Sequence, residues 1–219
     1  MNGYRDSYSY YPVALKLKDR EVVIVGGNEE ATRKLHSLLP CEPRLTVISP
    51  QVTGAIAQLA KAGKLRLIKR TYRHGDLDGA FMAIVCTPAV SQALRAEAVE
   101  RKVLINVLDQ AELRDYINVA MFSRDGLQIG IHTSGKSAAL SRRIRERLER
   151  QLGEEYAALT QLLGEMRLIV KGMIRTPERR RSFWLGAVNA ELLEKVENGL
   201  SMEALREEIL RKAKGYREI

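Results

Sequence analysis

The stretch from Arg20 to Leu39 constrains this 219-residue chain more than any other. Val22-Val23-Ile24-Val25 is an unbroken β-branched run. Such a run suits a strand covered on both faces, as in a parallel sheet. Gly26-Gly27-Asn28 stops it. From Ala31 the pattern turns helical, with Ala31, Leu35, Leu38 and Leu39 on one side.

A strand, a tight glycine turn and a helix open a dinucleotide-binding fold. Set against G-x-G-x-x-G/A, Gly26 takes the first position, Asn28 the second and Ala31 the third. Ala31 is small enough for the place where helix meets strand. Asn28 is a departure, because the second glycine lets bare backbone approach a pyrophosphate and a side chain there obstructs it. Asparagine tolerates positive φ, so the turn itself survives. Glu29 and Glu30 occupy the first helical turn, where they stabilise its positive end and compete with an anionic ligand for the same field. Dinucleotide site and plain βα turn both stand at this point.

The following segments repeat the rhythm. Leu45 to Ser49 reads as a second strand ended by Pro50, and Gln51 to Ala62 as a helix stopped by Gly63. Leu65 to Lys69, Phe81 to Cys86 and Val103 to Val107 read as strands three to five, with a helix over Ala89 to Arg101. The fold class is α/β: a Rossmann-like, doubly wound parallel sheet of order 3-2-1-4-5. Ligands of such sheets bind outside the carboxyl ends of the strands, where strand order reverses. Those ends carry Gly26-Gly27-Asn28, Cys86-Thr87-Pro88 and Asp109. A carboxylate there is a candidate general base; the alternative is an aspartate that caps a turn.

Beyond Asp109 the pattern changes. Leu127 to His132 alternates like a half-exposed strand, and Ala138 to Leu152 is a basic helix with Leu140, Ile144, Leu148 and Leu152 every four residues. From Tyr156 onward everything reads as helix, with an apolar stripe from Leu159 to Met173. Thr176-Pro177 marks a helix start, Gly199 and Gly215 mark stops, and Ser201 a cap. Three segments follow: 1–113, 114–150 and an all-helical 151–219.

Gly130-Ile-His-Thr-Ser-Gly-Lys-Ser137 satisfies G-x-x-x-x-G-K-S literally, between a strand and a helix. Against a nucleotide hydrolase, Gly130 lies inside the strand, and no later strand offers a Mg²⁺-holding aspartate. The N–H groups from Gly135 to Ala138 could still hold a carboxylate or phosphate.

The formal net charge of +9 favours anionic partners. No apolar run approaches ~18 residues, so no membrane span is expected. The residues before Tyr11 read as a loose polar tail without the apolar core of a signal peptide, and a cytoplasmic address is expected. Cys41 and Cys86 read as free thiols. His36, His74 and His132 are scattered, and no metal site is expected.

Several segments together resemble one family: Tyr-Pro-Val-Ala-Leu from Tyr11, Val-Ile-Val-Gly-Gly-Asn-Glu-Glu-Ala-Thr-Arg-Lys from Val23, Leu-Thr-Val-Ile-Ser-Pro from Leu45, Ile-Asn-Val-Leu-Asp from Ile105, and His-Thr-Ser-Gly-Lys-Ser-Ala-Ala-Leu-Ser-Arg-Arg from His132. In the same order and spacing they resemble the precorrin-2 dehydrogenases, the N-terminal module of siroheme synthase. The resemblance implies NAD-dependent oxidation of precorrin-2 to sirohydrochlorin, with iron insertion in some members. It places NAD at Gly26, Gly27, Asn28, Glu29, Glu30, Pro50, Gln51 and Thr87, and the catalytic aspartate at Asp109. It places the tetrapyrrole near Ser134, Gly135, Lys136 and Ser137, makes 114–150 a small α/β dimerisation segment, and implies a homodimer without nucleic-acid or membrane partners. No acidic residue ends the second strand, so NAD and NADP both stay open. The departures are Asn28, Thr87-Pro88 where two acidic residues are usual, and Ala138 where proline is usual. The first two leave a non-redox tetrapyrrole carrier as the alternative of another class.

Overall fold

The structure, a computed structural model, describes residues 10–217. The expected tail before Tyr11 lies almost entirely outside them. The chain divides into two compact units between Asn118 and Val119.

The first unit is a five-stranded parallel sheet: β1 (Glu21–Val25), β2 (Arg44–Ile48), β3 (Arg66–Ile68), β4 (Met82–Val85) and β5 (Leu104–Val107), ordered β3-β2-β1-β4-β5. The order is the one the sequence implies. Val25 pairs with both Ile48 and Val85, and Val85 with Val107. Four strands therefore end level, and Gly26, Ser49, Cys86 and Leu108 leave the sheet side by side.

Alternate strand residues fill two cores. Val22, Ile24, Val47 and Ile84 pack against Leu35 of α1 (Glu29–Leu38) and Ile56 of α2 (Gly54–Lys61). Val23, Val25, Ala83, Val85 and Ile105 pack against Leu94 and Ala98 of α3 (Ser91–Arg101). Burial on both faces explains why these strands are apolar throughout, each large side chain contributing about 1.5–3 kcal/mol. Strands three and four are shorter than the sequence suggests, and α2 starts at Gly54 because Thr53 caps it, its Oγ1 accepting from the Ile56 N–H.

Between β3 and β4 the chain makes an excursion without regular structure. Arg70 grips Asp76 with two bonds of 2.7 Å. Glu97 of α3 is fully buried and accepts from the Gly75 and Leu77 N–H groups at 3.0 Å and from the Tyr72 hydroxyl. A buried carboxylate is tolerable only when hydrogen-bonded in this way.

The second unit opens with an antiparallel hairpin, β6 (Ala120–Arg124) and β7 (Leu127–Ile131). Asp125-Gly126 turns it with positive φ at both residues, as a two-residue hairpin requires. Then come α4 (Ala138–Gln151), α5 (Glu154–Met173), α6 (Pro177–Ala187), α7 (Ala190–Glu197) and α8 (Met202–Arg217). Arg124 ties the α4–α5 junction: it donates to the carbonyls of Leu152 (2.6 Å) and Glu149 (2.9 Å) and pairs with Glu154. Leu159, Leu162, Met166 and Val170 of α5 join Phe183, Leu192, Leu205 and Ile209 in one core. Phe183 lies edge-on to both Trp184 and Tyr216.

Two expectations are corrected. Gly215 does not stop a helix but lies within α8. Thr176 precedes α6, yet its side chain makes no capping bond, and Pro177 opens the helix. Leu140 and Ile144 of α4 are exposed. Gly199 and Ser201 behave as expected, the former at positive φ and the latter accepting from the Ala204 N–H.

Candidate functional site

The β1–α1 turn is packed so that only glycine fits. Gly26 has φ +115°, and a Cβ there would stand 3.1 Å from the Cys86 backbone. At Gly27 a Cβ would stand 2.1 Å from the Gln51 carbonyl. The Gly27 carbonyl accepts from the Thr53 N–H at 2.9 Å, and the Thr32 and Thr53 hydroxyls share a bond of 2.8 Å. The first turns of α1 and α2 are thus laced together beneath Pro50 and Gln51, both exposed.

Asn28 does not block this turn. Its Oδ1 accepts from the Ala31 N–H at 3.0 Å, capping α1, and its Nδ2 donates to the Cys86 carbonyl at 2.9 Å. The side chain is spent on a helix cap and a brace to the end of β4, which leaves the Glu29 and Glu30 N–H groups as the outward donors of the helix end. The acidic pair also competes less than its charge suggests. Glu30 is paired with Arg33 and with Lys34 (3.1 Å), and the Arg33 hydrogen bond holds its carboxyl below the ordinary value.

At the end of β4, Cys86 is buried and its thiol is pushed up to about 12, chiefly by desolvation. It and the exposed Cys41 are both free. Thr87 is half-buried, and its carbonyl accepts from Ser91 Oγ at 3.3 Å. At the end of β5, Asp109 is exposed at φ +62°. Its carboxylate has no hydrogen-bond or ion-pair partner among the described residues, so it caps nothing.

Gly26, Asn28, Thr87 and Asp109 are thus brought to one end of one sheet. Ser134, Gly135, Lys136 and Ser137 belong to the other compact unit. There Thr133 closes the turn on itself: its Oγ1 accepts the Ser137 N–H at 2.9 Å and its carbonyl accepts the Lys136 N–H at 3.0 Å. The Ser134 N–H goes to His132 Nδ1 and the Leu140 N–H to Ser137 Oγ. The expected cradle of N–H groups from Gly135 to Ala138 is therefore half consumed. What faces outward is the exposed Lys136 ammonium. Among the described residues no three His, Cys, Asp or Glu side chains converge as a metal site would need, and no helix is long and apolar enough to cross a membrane.

Residues 13–120 match a family described as putative NAD(P)-binding, 124–151 the sirohaem biosynthesis protein central region, and 155–212 the sirohaem synthase dimerisation region. In succession the three matches span most of the chain, and two of them are regions of sirohaem biosynthesis proteins. Similar proteins include the siroheme synthases of Chromobacterium violaceum (33% identical over 192 residues, 87% of this chain) and Photorhabdus laumondii (32% over 197 residues, 89%). This chain spans 41% and 42% of those two relatives' lengths. A solved structure titled SirC, precorrin-2 dehydrogenase, superposes with a TM-score of 0.75 at 27% identity, covering 94% of this chain and all of that one.

Around this sheet end, the side chains that sequence reasoning missed are Thr32, Thr53, Ser91 and Gln110. Thr53 had a visible signal, a hydroxyl residue just before a helical pattern. The other three act through contacts distant in sequence.

Proposed function

We propose that this chain is an NAD-dependent dehydrogenase that oxidises precorrin-2 to sirohydrochlorin, with Asp109 as general base. The observation that carries this reading is the sheet end at the switch point, where a turn that admits no Cβ stands beside an aspartate with no partner among the described residues. The glycine turn fits a pyrophosphate, because Asn28 is folded back into its cap. Gly26, Gly27 and Asn28, with the Glu29 and Glu30 amides, would hold the phosphates; Pro50, Gln51 and Thr87 would flank the rest of the dinucleotide. Bound NAD⁺ supplies the hydride acceptor. Asp109 takes the proton that the macrocycle loses as the hydride departs, and positioning does most of the remaining work.

Precorrin-2 is a polycarboxylate, which suits a chain of net charge +9. Lys136, with Ser134, Gly135 and Ser137 around it, would meet its carboxylate arms. The dimerisation-region match supports a homodimer. Iron insertion into sirohydrochlorin is a second reading, favoured by the relatives' name, siroheme synthase.

Mixing the chain with precorrin-2 and NAD⁺ tests the first reading: NADH absorbance grows, and NAD⁺ raises the melting temperature. Neither change, with NADP⁺ equally inert, would leave a tetrapyrrole carrier. Fe²⁺ added with sirohydrochlorin tests the second.

A further inference from the structure

Asp109 holds a backbone conformation that non-glycine residues keep only where their surroundings impose it. With no partner for its carboxylate among the described residues, its placement depends on the residues on either side. Before it, the Leu108 N–H donates to the Val85 carbonyl at 3.1 Å. After it, Gln110 Nε2 donates to Ser91 Oγ at 3.1 Å, and Ser91 Oγ donates to the Thr87 carbonyl at 3.3 Å. Ser91 is 2% exposed and opens α3. The two bonds form a relay from the β5 end to the β4 end. The return of the same loop is fastened separately: Asp115 accepts from the Ile105 N–H and from Arg95, and Asn106 Nδ2 donates to the Tyr116 carbonyl. That second fastening lies six residues or more past Asp109; nearer to it, the Leu113 N–H donates to the Gln110 carbonyl at 3.3 Å and Leu113 is buried in the core, so the relay is the side-chain tie closest to the aspartate.

We propose that Gln110 is a positioning residue: through Ser91 it locks the Asp109 turn to the Thr87 backbone, so that proton acceptor and cofactor floor keep one register. The proposal rests on the dehydrogenase reading above. Gln110 need touch neither cofactor nor macrocycle. Its amide length and donor are what matter, and a buried serine hydroxyl is what makes the bond count.

Gln110→Met keeps the length and removes the donor. In the cofactor-free protein, hydrogen exchange at the amides of Asp109 and Gln110 quickens, while exchange at Asp115 and Tyr116 does not change. In turnover, kcat falls about a hundred-fold, as expected for a reacting group displaced by about 1 Å. The KM values for NAD⁺ and precorrin-2 stay as in the wild type. In an Asp109→Asn background Gln110→Met has no further effect, because it acts only through that carboxylate. Ser91→Ala reproduces the fall, and the double variant is no slower than either single one; should Ser91→Ala fail to fold, the Gln110→Met series decides alone. Unchanged kcat and exchange in Gln110→Met would overturn the proposal. So would a loss that persists in the Asp109→Asn background, or one that raises KM instead. Asp109→Asn turning over at the wild-type rate would instead sink the dehydrogenase role of Asp109, and this proposal with it.

Discussion

Two turns in this molecule carry glycine between a strand and a helix, and their sequences rank them in the wrong order. The turn at Thr133 to Ser137 is the end of a literal phosphate-loop match; the turn at Gly26 to Asn28 lacks a glycine of its motif. The structure reverses this. At the literal match the N–H groups of Ser134, Lys136 and Ser137 are taken by His132 and Thr133, and Gly135 stands in open space. At the imperfect match both glycines are required by close backbone, and the extra side chain is turned inward as a cap. A phosphate site needs unspent donors and bare backbone, and a string of letters reports neither.

The largest test of that contrast is Asp109→Asn, beside the first turn. It should slow NADH formation by about 10²–10⁴-fold. ATP turnover by the wild-type chain would restore the second turn to first rank.

Next come the glycines. Gly27→Ala forces a Cβ onto the Gln51 carbonyl, and should cost about 1–3 kcal/mol in urea unfolding while weakening NAD⁺ binding. Gly135→Ala meets nothing; it should cost about 1–2 kcal/mol from its φ of +79° alone and leave NAD⁺ affinity intact.

Asn28→Ala should lose about 0.5–2 kcal/mol of stability with the cap. Asn28→Gly restores the motif yet should not tighten NAD⁺ in a titration, since the asparagine side chain is already folded into its cap and its brace to Cys86.

The smallest effect concerns acid. Glu30 is held below its ordinary value of 4.5 by Arg33, so its contribution is complete above that pH and is lost as the pH falls through the depressed value. Glu30→Gln should remove that part of the acid dependence in melting curves taken below pH 4.5.

The sheet was legible because doubly covered strands have nothing to hide: Val22 to Val25 and Met82 to Val85 are apolar at every position. β6 was not legible, since its burial alternates while its residue types do not: Met121 is exposed, Arg124 is half-buried, and Phe122 alone of the five is deeply buried. The period-four apolar residues of α4 indicated a helix correctly but said nothing of what covers Leu140 and Ile144. That the glycine turn and Asp109 share one end of the sheet could be read from the topology. Its fastenings could not, because Thr32–Thr53, Asn28–Cys86 and Gln110–Ser91 are side-chain bonds between distant segments and leave no periodic trace.

Glu97 bears on where this chain can be engineered. Surface connections usually accept a spliced-in tag or epitope. The Tyr72–Leu77 excursion should refuse one, because lengthening it would pull away the donors and strand a negative charge in the interior. The bend at Gly63, with open space around it, is the place to cut and paste.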